Sequence, residues 1–216
     1  RLQWECPTFH TFLGMDSWDI YTEEEKEKNE LMDEGLWKYV AESAADDIDA
    51  GGWVNSYTGE PLTRREMDEY GENILEKLTP LLHPGMRVLE IGCASGISMY
   101  RIAPRVGFYY GTDLSSAIIH RNTQRVKQQG WQNIRLECIP AHQIDKIPEK
   151  EFDLVIINSV IQCFPGHNYL RNVIRKAARL VKHRGYLFIG DVMAQELKTT
   201  LAKELEAFKQ THKDKG

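Results

Sequence analysis

Val88–Ile97 reads Val-Leu-Glu-Ile-Gly-Cys-Ala-Ser-Gly-Ile, and this stretch decides the fold of the chain. Its apolar half is typical of a strand buried in a parallel sheet, and the run stops at an acidic residue, Glu90. The small-residue loop Gly92-x-Ala94-x-Gly96 then turns into a helix. Small residues are needed there because the backbone must turn tightly and must let a ligand come within contact distance. The stretch therefore predicts a nucleotide-type cofactor loop in an α/β sheet.

The spacing of the small residues separates one cofactor class from another. A dinucleotide fingerprint has glycine at the first, third and sixth positions of the loop. Here the sixth position is Ile97, which disfavours a nicotinamide oxidoreductase. The observed pattern is first, third and fifth, preceded by an acid, with Ala94 in the middle position.

This pattern, Glu90-x-Gly92-x-Ala94-x-Gly96, resembles the first motif of class I S-adenosylmethionine (SAM) dependent methyltransferases. Residues 52–61 and 157–165 are similar to the methyltransferase domains carried inside polyketide synthases and nonribosomal peptide synthetases. The resemblance covers roughly residues 50 to 193. It implies SAM as the cofactor and S-adenosylhomocysteine as its product. It also implies an acyl carrier protein, with a phosphopantetheine-tethered polyketide or peptide intermediate, and neighbouring megasynthase domains as partners.

Size and charge exclude several other classes. A chain of 216 residues with 42% apolar residues predicts one domain with a sizeable core. The net charge of -5 disfavours a nucleic-acid partner. No apolar run approaches the roughly 18 residues of a membrane span. The four cysteines are widely spaced, which predicts reduced thiols and a cytoplasmic protein: Cys6, Cys93, Cys138 and Cys163. A chain that starts at Arg1 is interpreted as a piece of a longer protein.

Residues 1–85 are predicted to form an N-terminal helical lid, and residues 86–216 the SAM-binding core. Met32, Leu36 and Val40 make a helical stripe, and the capping box Thr63-Arg-Arg-Glu66 starts a second helix. The two helices either cover the cofactor or only extend the core, and the pattern does not decide between these roles.

The loop 51–61 between the two helices is rich in glycine and aromatic residues. It stands on a non-repetitive backbone, which favours a functional role. In the related synthase domains this loop comes close to the cofactor. The resemblance therefore implies that Tyr57 contacts the cofactor and that Trp53 contacts the substrate.

Strands alternate with helices through the predicted core. The strands are expected at 86–91, 107–112, 133–138, 152–158 and 185–191, and the helices at about 96–105, 115–129, 142–146, 167–182 and 194–211. This order predicts an α/β fold with a Rossmann-like, doubly wound, mostly parallel sheet. Related methyltransferases usually add an antiparallel pair of strands after the last helix, and this sequence stops at Gly216 without one. We interpret that pair as missing from this chain.

Each part of SAM needs its own binding group. Glu90 is predicted to accept hydrogen bonds from the amino end of the cofactor. The loop residues are predicted to supply backbone N–H groups and close approach: Gly92, Cys93, Ala94 and Gly96. Asp113, with Leu114 beside it, ends the second strand, where a carboxylate can accept both ribose hydroxyls. Asp113 could instead cap the following helix, although Ser115 is free to do so.

Further cofactor contacts are implied after the third and fourth strands. Ala141 and His142 stand at the adenine edge, where Pro140 replaces the acid that the family often has. His142 could donate a hydrogen bond there or could be a surface histidine at a helix start. Asn158 and Ser159 end the fourth strand and are predicted to lie under the sulfonium.

The acceptor of the methyl group needs positioning and the loss of a proton. His167 precedes a helix at the predicted mouth of the sheet, and Asp191 ends the fifth strand at the same mouth. The two are predicted to act as base and orienting carboxylate, although each could simply cap a helix. Gln162 is a further candidate near the acceptor. No set of residues has metal-ligand spacing, so no metal is predicted.

The resemblance also bears on the acceptor atom. Carbon-methylating synthase domains place a histidine where this chain has Asn158-Ser159-Val160. Nitrogen-methylating domains share that tripeptide and Gln162 but usually lack a histidine at the position of His167. The added histidine favours an O-methyltransferase acting on a hydroxyl, such as the β-hydroxyl of a carrier-tethered intermediate. A nitrogen or carbon acceptor, or a non-catalytic structural module, remains an alternative.

Overall fold

A computed structural model of the chain describes residues 53–192 and 194–212, together with Gly35 and Tyr39. These residues form a five-stranded parallel sheet with the strand order β3-β2-β1-β4-β5. The strands are β1 Arg87–Ile91, β2 Phe108–Asp113, β3 Ile134–Cys138, β4 Phe152–Asn158 and β5 Val181–Gly190. The predicted doubly wound parallel sheet is therefore confirmed. The predicted stripe of Met32, Leu36 and Val40 lies outside the described residues.

Helices flank this sheet. In the described part they are α1 Arg64–Leu78, α2 Ile97–Ile102, α3 Ser116–Gln128, α4 His167–Leu180 and α5 Lys198–Thr211. Short 3₁₀ turns stand at Ala103–Arg105, Ala141–Lys146, Ile161–Cys163 and Gln195–Leu197. Within residues 194–212 no strand follows β5. In the part of the chain that the structure describes, no helix combines the length and the hydrophobicity of a membrane-spanning segment.

Three boundaries differ from the sequence-based expectation for physical reasons. The α2 helix ends at Ile102 because the chain tightens into a 3₁₀ turn at Pro104, which lacks an N–H group. The segment 141–146 is 3₁₀ rather than α-helical. The β5 strand begins at Val181, before the predicted residue 185, because a register shift separates the pair Phe152–Val181 from the pair Leu154–Tyr186.

The sheet is buried on both faces. Alternate residues of the central strands enter two apolar clusters, with Val88 on one face and Leu89 on the other. The first cluster contains Leu78 of α1, and the second contains Val173 of α4. Strands covered on both faces read as continuous apolar runs, which explains the composition of β1 and β4.

The helix α1 packs against the core and is joined to α2 by ion pairs. The capping box is present, since the Thr63 side chain accepts a hydrogen bond from the Glu66 N–H and the Glu66 carboxylate accepts one from the Thr63 N–H. The Arg101 guanidinium of α2 lies 2.7 Å from the Asp68 carboxylate and 3.2 Å from that of Glu72. The C-terminal half of α1 packs in the core. The predicted domain boundary at residue 85 stays a prediction.

Replacing Leu78 by alanine tests how firmly α1 belongs to the core. Leu78 is 0% exposed, so the substitution leaves a cavity and lowers the free energy of unfolding by about 2–5 kcal/mol. Glu76→Ala, on the exposed face of the same helix, is the matched control and changes it by less than about 0.5 kcal/mol. Urea unfolding measures both. Equal stability of the two variants would show that α1 is not part of the cooperative core.

Candidate active site

A cavity of about 230 Å³ opens at the carboxyl ends of β1, β2 and β4. The strand order reverses between β1 and β4, and open α/β sheets bind ligands at this kind of switch point. The cavity is lined by Trp53, Tyr70, Glu90, Gly92, Cys93, Ala94, Ser95, Ile97, Ser98, Asp113, Leu114, Ile139, Ala141, Asn158, Ser159, Val160, Gln162, Cys163 and Phe164.

The loop after β1 forms one wall of the cavity in a left-handed turn. Gly92 has φ 79° and Gly96 has φ 88°, and the N–H groups of Gly92 and Cys93 both donate to the Thr112 carbonyl, at 2.8 and 2.9 Å. A Cβ on Gly92 would lie 2.5 Å from Cγ2 of Val160. Both the backbone angle and the close approach therefore require glycine at this position.

Glu90 is a buried carboxylate at the base of the cavity. The Tyr109 hydroxyl donates to its Oε2 at 2.7 Å. Burial raises the pKa of Glu90 to about 7, while the hydrogen bonds from Tyr109 and Ser98 act in the opposite direction. A cation bound beside this carboxyl would favour its charged form.

Asp113, at the end of β2, is bonded to the loop that follows β1. Its two carboxylate oxygens accept the N–H groups of Ser115 at 2.9 Å and Ala94 at 3.0 Å. Burial raises the pKa of Asp113, and these backbone hydrogen bonds oppose the rise. Ser115 caps α3, since its side chain accepts a hydrogen bond from the Ile118 N–H at 3.4 Å. Two buried carboxyl groups thus flank the small-residue loop: Glu90 precedes it in the chain, and Asp113 bonds its middle residue, Ala94.

The end of β4 is joined to α1 by side chains. The Tyr70 hydroxyl lies 2.6 Å from Oγ of Ser159, and the Asn158 amide donates to the Tyr70 oxygen. The Ser159 hydroxyl in turn donates to the Asp191 carboxylate. Burial raises the pKa of Tyr70 to about 12. The Trp53 ring contacts Tyr70 with 5.2 Å between ring centroids, which places an aromatic wall over this edge.

Most of the predicted site residues meet at this cavity. Those that line it are Trp53, Glu90, Gly92, Cys93, Ala94, Asp113, Leu114, Ala141, Asn158, Ser159 and Gln162. Gly96 is buried and precedes the first turn of α2. The contacts of these residues with a ligand stay predictions.

Besides Gly96, two predicted cofactor residues lie outside the cavity lining, Tyr57 and His142. The Tyr57 hydroxyl donates to Glu204 of α5 at 3.1 Å, and its ring meets Phe208 edge-on. His142 stands next to Ala141, with Nδ1 3.0 Å from the Tyr169 hydroxyl. Both side chains are thus held by protein groups.

The predicted pair of His167 and Asp191 is not assembled in this structure. His167 is the exposed first residue of α4 and does not line the cavity. Asp191 is exposed and accepts its hydrogen bond from Ser159. No hydrogen bond or ion pair joins these two residues, both of which the structure describes. Since the two side chains are not bonded to each other, their predicted roles as base and orienting carboxylate stay predictions.

Several lining residues were not predicted. Tyr70 is the most informative, because it carries a hydroxyl in an otherwise aliphatic stripe of α1 with Met67, Ile74 and Leu78. That single polar tip was the available signal. Cys163 and Phe164 also line the cavity and follow β4 inside the 157–165 stretch. Burial raises the pKa of the Cys163 thiol, and Phe164 is buried, but neither property can be recognised from the sequence. Among the described residues, no group of three or more His, Cys, Asp or Glu side chains could hold a metal ion.

Comparison with known families agrees with this geometry. A family model described as "Methyltransferase domain" matches residues 82–215. The chain is 35% identical over 161 residues to a probable nonribosomal peptide synthetase, CymA, of Salinispora arenicola, covering 74% of this chain and 2% of that protein. It is 39% identical over 142 residues to chondramide synthase cmdD of Chondromyces crocatus, covering 65% and 4%. The chain therefore spans only a few per cent of these relatives.

Solved structures show the same fold. Phosphoethanolamine N-methyltransferase 1 of Haemonchus contortus, in complex with phosphoethanolamine and S-adenosylhomocysteine, matches with a TM-score of 0.58 at 20% identity, over 72% of this chain and 30% of that one. The N-methyltransferase NodS of Bradyrhizobium japonicum matches with a TM-score of 0.54 at 21% identity, over 68% and 84%. At these identities the likeness concerns the fold alone.

The loop can be tested by exchanging its small residues. Gly92→Ala places a Cβ at a left-handed φ and against Val160, so we expect it to lower the free energy of unfolding by about 2–4 kcal/mol. Ala94→Gly is the matched control, because Ala94 already has φ 41°, and we expect a change below about 1 kcal/mol. Denaturant unfolding compares the two. A Gly92→Ala variant as stable as the control would refute the described turn.

Proposed function

The chain belongs to the family of class I SAM-dependent methyltransferase domains, of the kind found in nonribosomal peptide synthetases, and on that premise we propose that it methylates an intermediate tethered to a carrier protein. We further propose that the acceptor atom is a nitrogen. The observation that carries the proposal is the cavity whose lining includes the left-handed small-residue loop and two buried carboxyl groups, Glu90 before the loop and Asp113 bonded to the loop's Ala94 N–H.

The two carboxyl groups suit the two polar ends of SAM. We propose that Glu90 binds the cationic amino group, since a cation stabilises the charged form of a buried carboxyl. We propose that Asp113 accepts from the ribose hydroxyls, and that Ala141 and Leu114 contact the adenine between them. The small side chains of the loop let a cofactor come within contact distance of its backbone.

Methyl transfer from a sulfonium is a displacement at a carbon that the positive sulfur already activates. The protein must align the acceptor, exclude water and take up one proton. An amine needs only to be neutral, whereas a hydroxyl needs a base. No histidine side chain lines the described cavity, and its carboxylates, Glu90 and Asp113, are proposed for the cofactor. One named relative, CymA, is a nonribosomal peptide synthetase, and the amino acids from which a peptide is built carry amines. Together these observations favour nitrogen.

A hydroxyl acceptor is the second candidate, and His167 favours it. His167 stands three residues after Phe164, which lines the cavity, at the exposed start of α4. An O-methyltransferase would need this imidazole to reach the acceptor once the substrate is bound. A carbon acceptor has no comparable observation in its favour.

The larger context of the domain stays a proposal. The chain covers only 2% to 4% of the two named synthetases, so the carrier protein and the neighbouring domains are partners that we propose rather than observe. The predicted cytoplasmic location is a proposal of the same kind. A non-catalytic module is the alternative, and calorimetry decides it, because a module without catalytic function need not bind SAM.

An acceptor assay tests the nitrogen proposal directly. The chain is incubated with SAM and with either an aminoacyl or a β-hydroxyacyl pantetheine thioester. We expect mass spectrometry to find the added methyl on the amine. We expect the rate to rise with pH as the amine loses its proton, near its ordinary pKa of about 8. Methylation of the hydroxyl alone, abolished in His167→Ala, would establish the second candidate instead.

The cofactor assignment predicts a pH-dependent affinity. Below its pKa of about 7, Glu90 carries a proton that must leave when the cationic amino group binds, so SAM affinity rises from pH 5.5 to 7.5. Glu90→Gln removes this dependence and weakens binding by about 10- to 100-fold. Calorimetry in buffers of different ionisation enthalpy measures the released proton. Glu137→Gln, outside the cavity lining, is the control. An unchanged pH profile in Glu90→Gln would rule out this role.

A further inference from the structure

Four side chains form a continuous line of hydrogen bonds at the edge of the cavity. Tyr70, Asn158 and Ser159 line the cavity, and Asp191 lies beyond them at the exposed end of β5. The Tyr70 oxygen is 2.6 Å from Oγ of Ser159. Asn158 donates to Tyr70 on one side, and Ser159 donates to Asp191 on the other. The line therefore connects the cavity with solvent.

The number of available protons fixes the direction of these bonds. Ser159 has one hydroxyl proton and donates it to Asp191. The bond between Tyr70 and Ser159 must then be donated by Tyr70. Because Asn158 donates to the Tyr70 oxygen, every bond runs from the cavity toward the carboxylate. A line of this kind is oriented to carry a proton outward.

The backbone is strained at two members of the line. Ser159 has φ 55° and Asp191 has φ 53°, in the left-handed region that residues other than glycine rarely adopt. Each such residue costs about 1–3 kcal/mol, and strain of this size is concentrated at functional sites. The Ser159 N–H donates to the Gly190 carbonyl at 3.2 Å, which brings the two strand ends together. The strained angles thus place Ser159 Oγ against Asp191.

We propose that Tyr70, Ser159 and Asp191 form a relay that carries the proton of the acceptor nitrogen from the cavity to solvent, with Asn158 orienting the Tyr70 hydroxyl. This inference rests on the proposed methyl transfer to an amine and names the groups that make the amine neutral. It gives Asp191 a role through Ser159, in place of a role beside His167.

The proton and electron pairs balance along this path. An N–H proton of the acceptor ammonium passes to the Tyr70 oxygen while the Tyr70 proton passes to Ser159 and the Ser159 proton passes to the Asp191 carboxylate. The nitrogen keeps the electron pair of the broken N–H bond as a lone pair and uses it to form the N–C bond, while the electron pair of the C–S bond of SAM stays on sulfur. Asp191 then loses its proton to water. The proton of the methylated ammonium leaves by the same path.

The surroundings of Tyr70 favour a concerted step, in which its oxygen gains one proton as it gives up another. Burial, followed by the carboxylates of Asp191 and Glu90, raises the pKa of Tyr70 to about 12, while the hydrogen bonds of Ser159 and Asn158 lower it. The phenol is therefore neutral at the pH of the reaction. It passes one proton on as it receives another, and no phenolate accumulates.

The test uses the full chain, SAM and the aminoacyl pantetheine thioester as the amine acceptor, and methylation of a hydroxyl alone by the wild type would overturn the relay. Asp191→Asn keeps the left-handed backbone, which asparagine tolerates, and removes the proton acceptor. Tyr70→Phe breaks the line at the cavity, and Ser159→Gly breaks it while relieving the strained φ. We expect each to lower kcat by about 100-fold near pH 7. Asp191 lies outside the cavity lining, so Asp191→Asn should leave the Kd for SAM unchanged. Tyr186→Phe, an exposed tyrosine on β5 that is 42% exposed, is the control and keeps wild-type kcat.

The pH profile separates a relay from a structural role. With an amine acceptor, the deficit of the three variants should shrink above about pH 8, where the free amine arrives without its proton. A pH-independent deficit, or wild-type kcat in Asp191→Asn, would overturn the relay even though methyl transfer itself is established. A wild-type chain that binds SAM and methylates no acceptor would overturn the proposed function and the relay with it.

Discussion

The close approach of Gly92 to Val160 is the constraint on which the rest of the site depends. The left-handed turn at Gly92 lets two successive N–H groups bond the Thr112 carbonyl of β2, while Val160 closes in from the end of β4. A side chain at this position would separate the ends of the three strands. With glycine there, β1, β2 and β4 converge at one edge, and their polar ends face a single cavity.

Convergence has an electrostatic consequence. Glu90 and Asp113 are held in a largely apolar surrounding, where burial raises the pKa of both carboxyl groups. Backbone N–H groups and the Tyr109 hydroxyl stabilise them, but no cationic side chain lines the described cavity. A cavity with buried acids and no cation of its own is suited to a positively charged ligand. SAM, which carries both a sulfonium and an amino group, is such a ligand.

The fold and the loop side of the cavity were predictable because local patterns determine them. The strand-loop-helix at Val88–Ile97 needs only small residues at set spacings, and the parallel topology brings the acid at the end of β2 to the same edge of the sheet. The side of the cavity at the end of β4 was not predictable in this way. Tyr70 reaches Ser159 from a helix that lies far away in sequence, so no local pattern joins them. His167 had suitable chemistry and position in the sequence, yet the first turn of α4 places it in solvent.

A crystal structure of the chain with S-adenosylhomocysteine bound would show directly whether the cofactor lies against the Gly92 turn. The account predicts the ribose hydroxyls within about 3 Å of the Asp113 carboxylate, the amino group beside Glu90, and the sulfur facing Tyr70 and Asn158. A ligand bound away from the Gly92 turn, or one whose sulfur faces away from the end of β4, would contradict it.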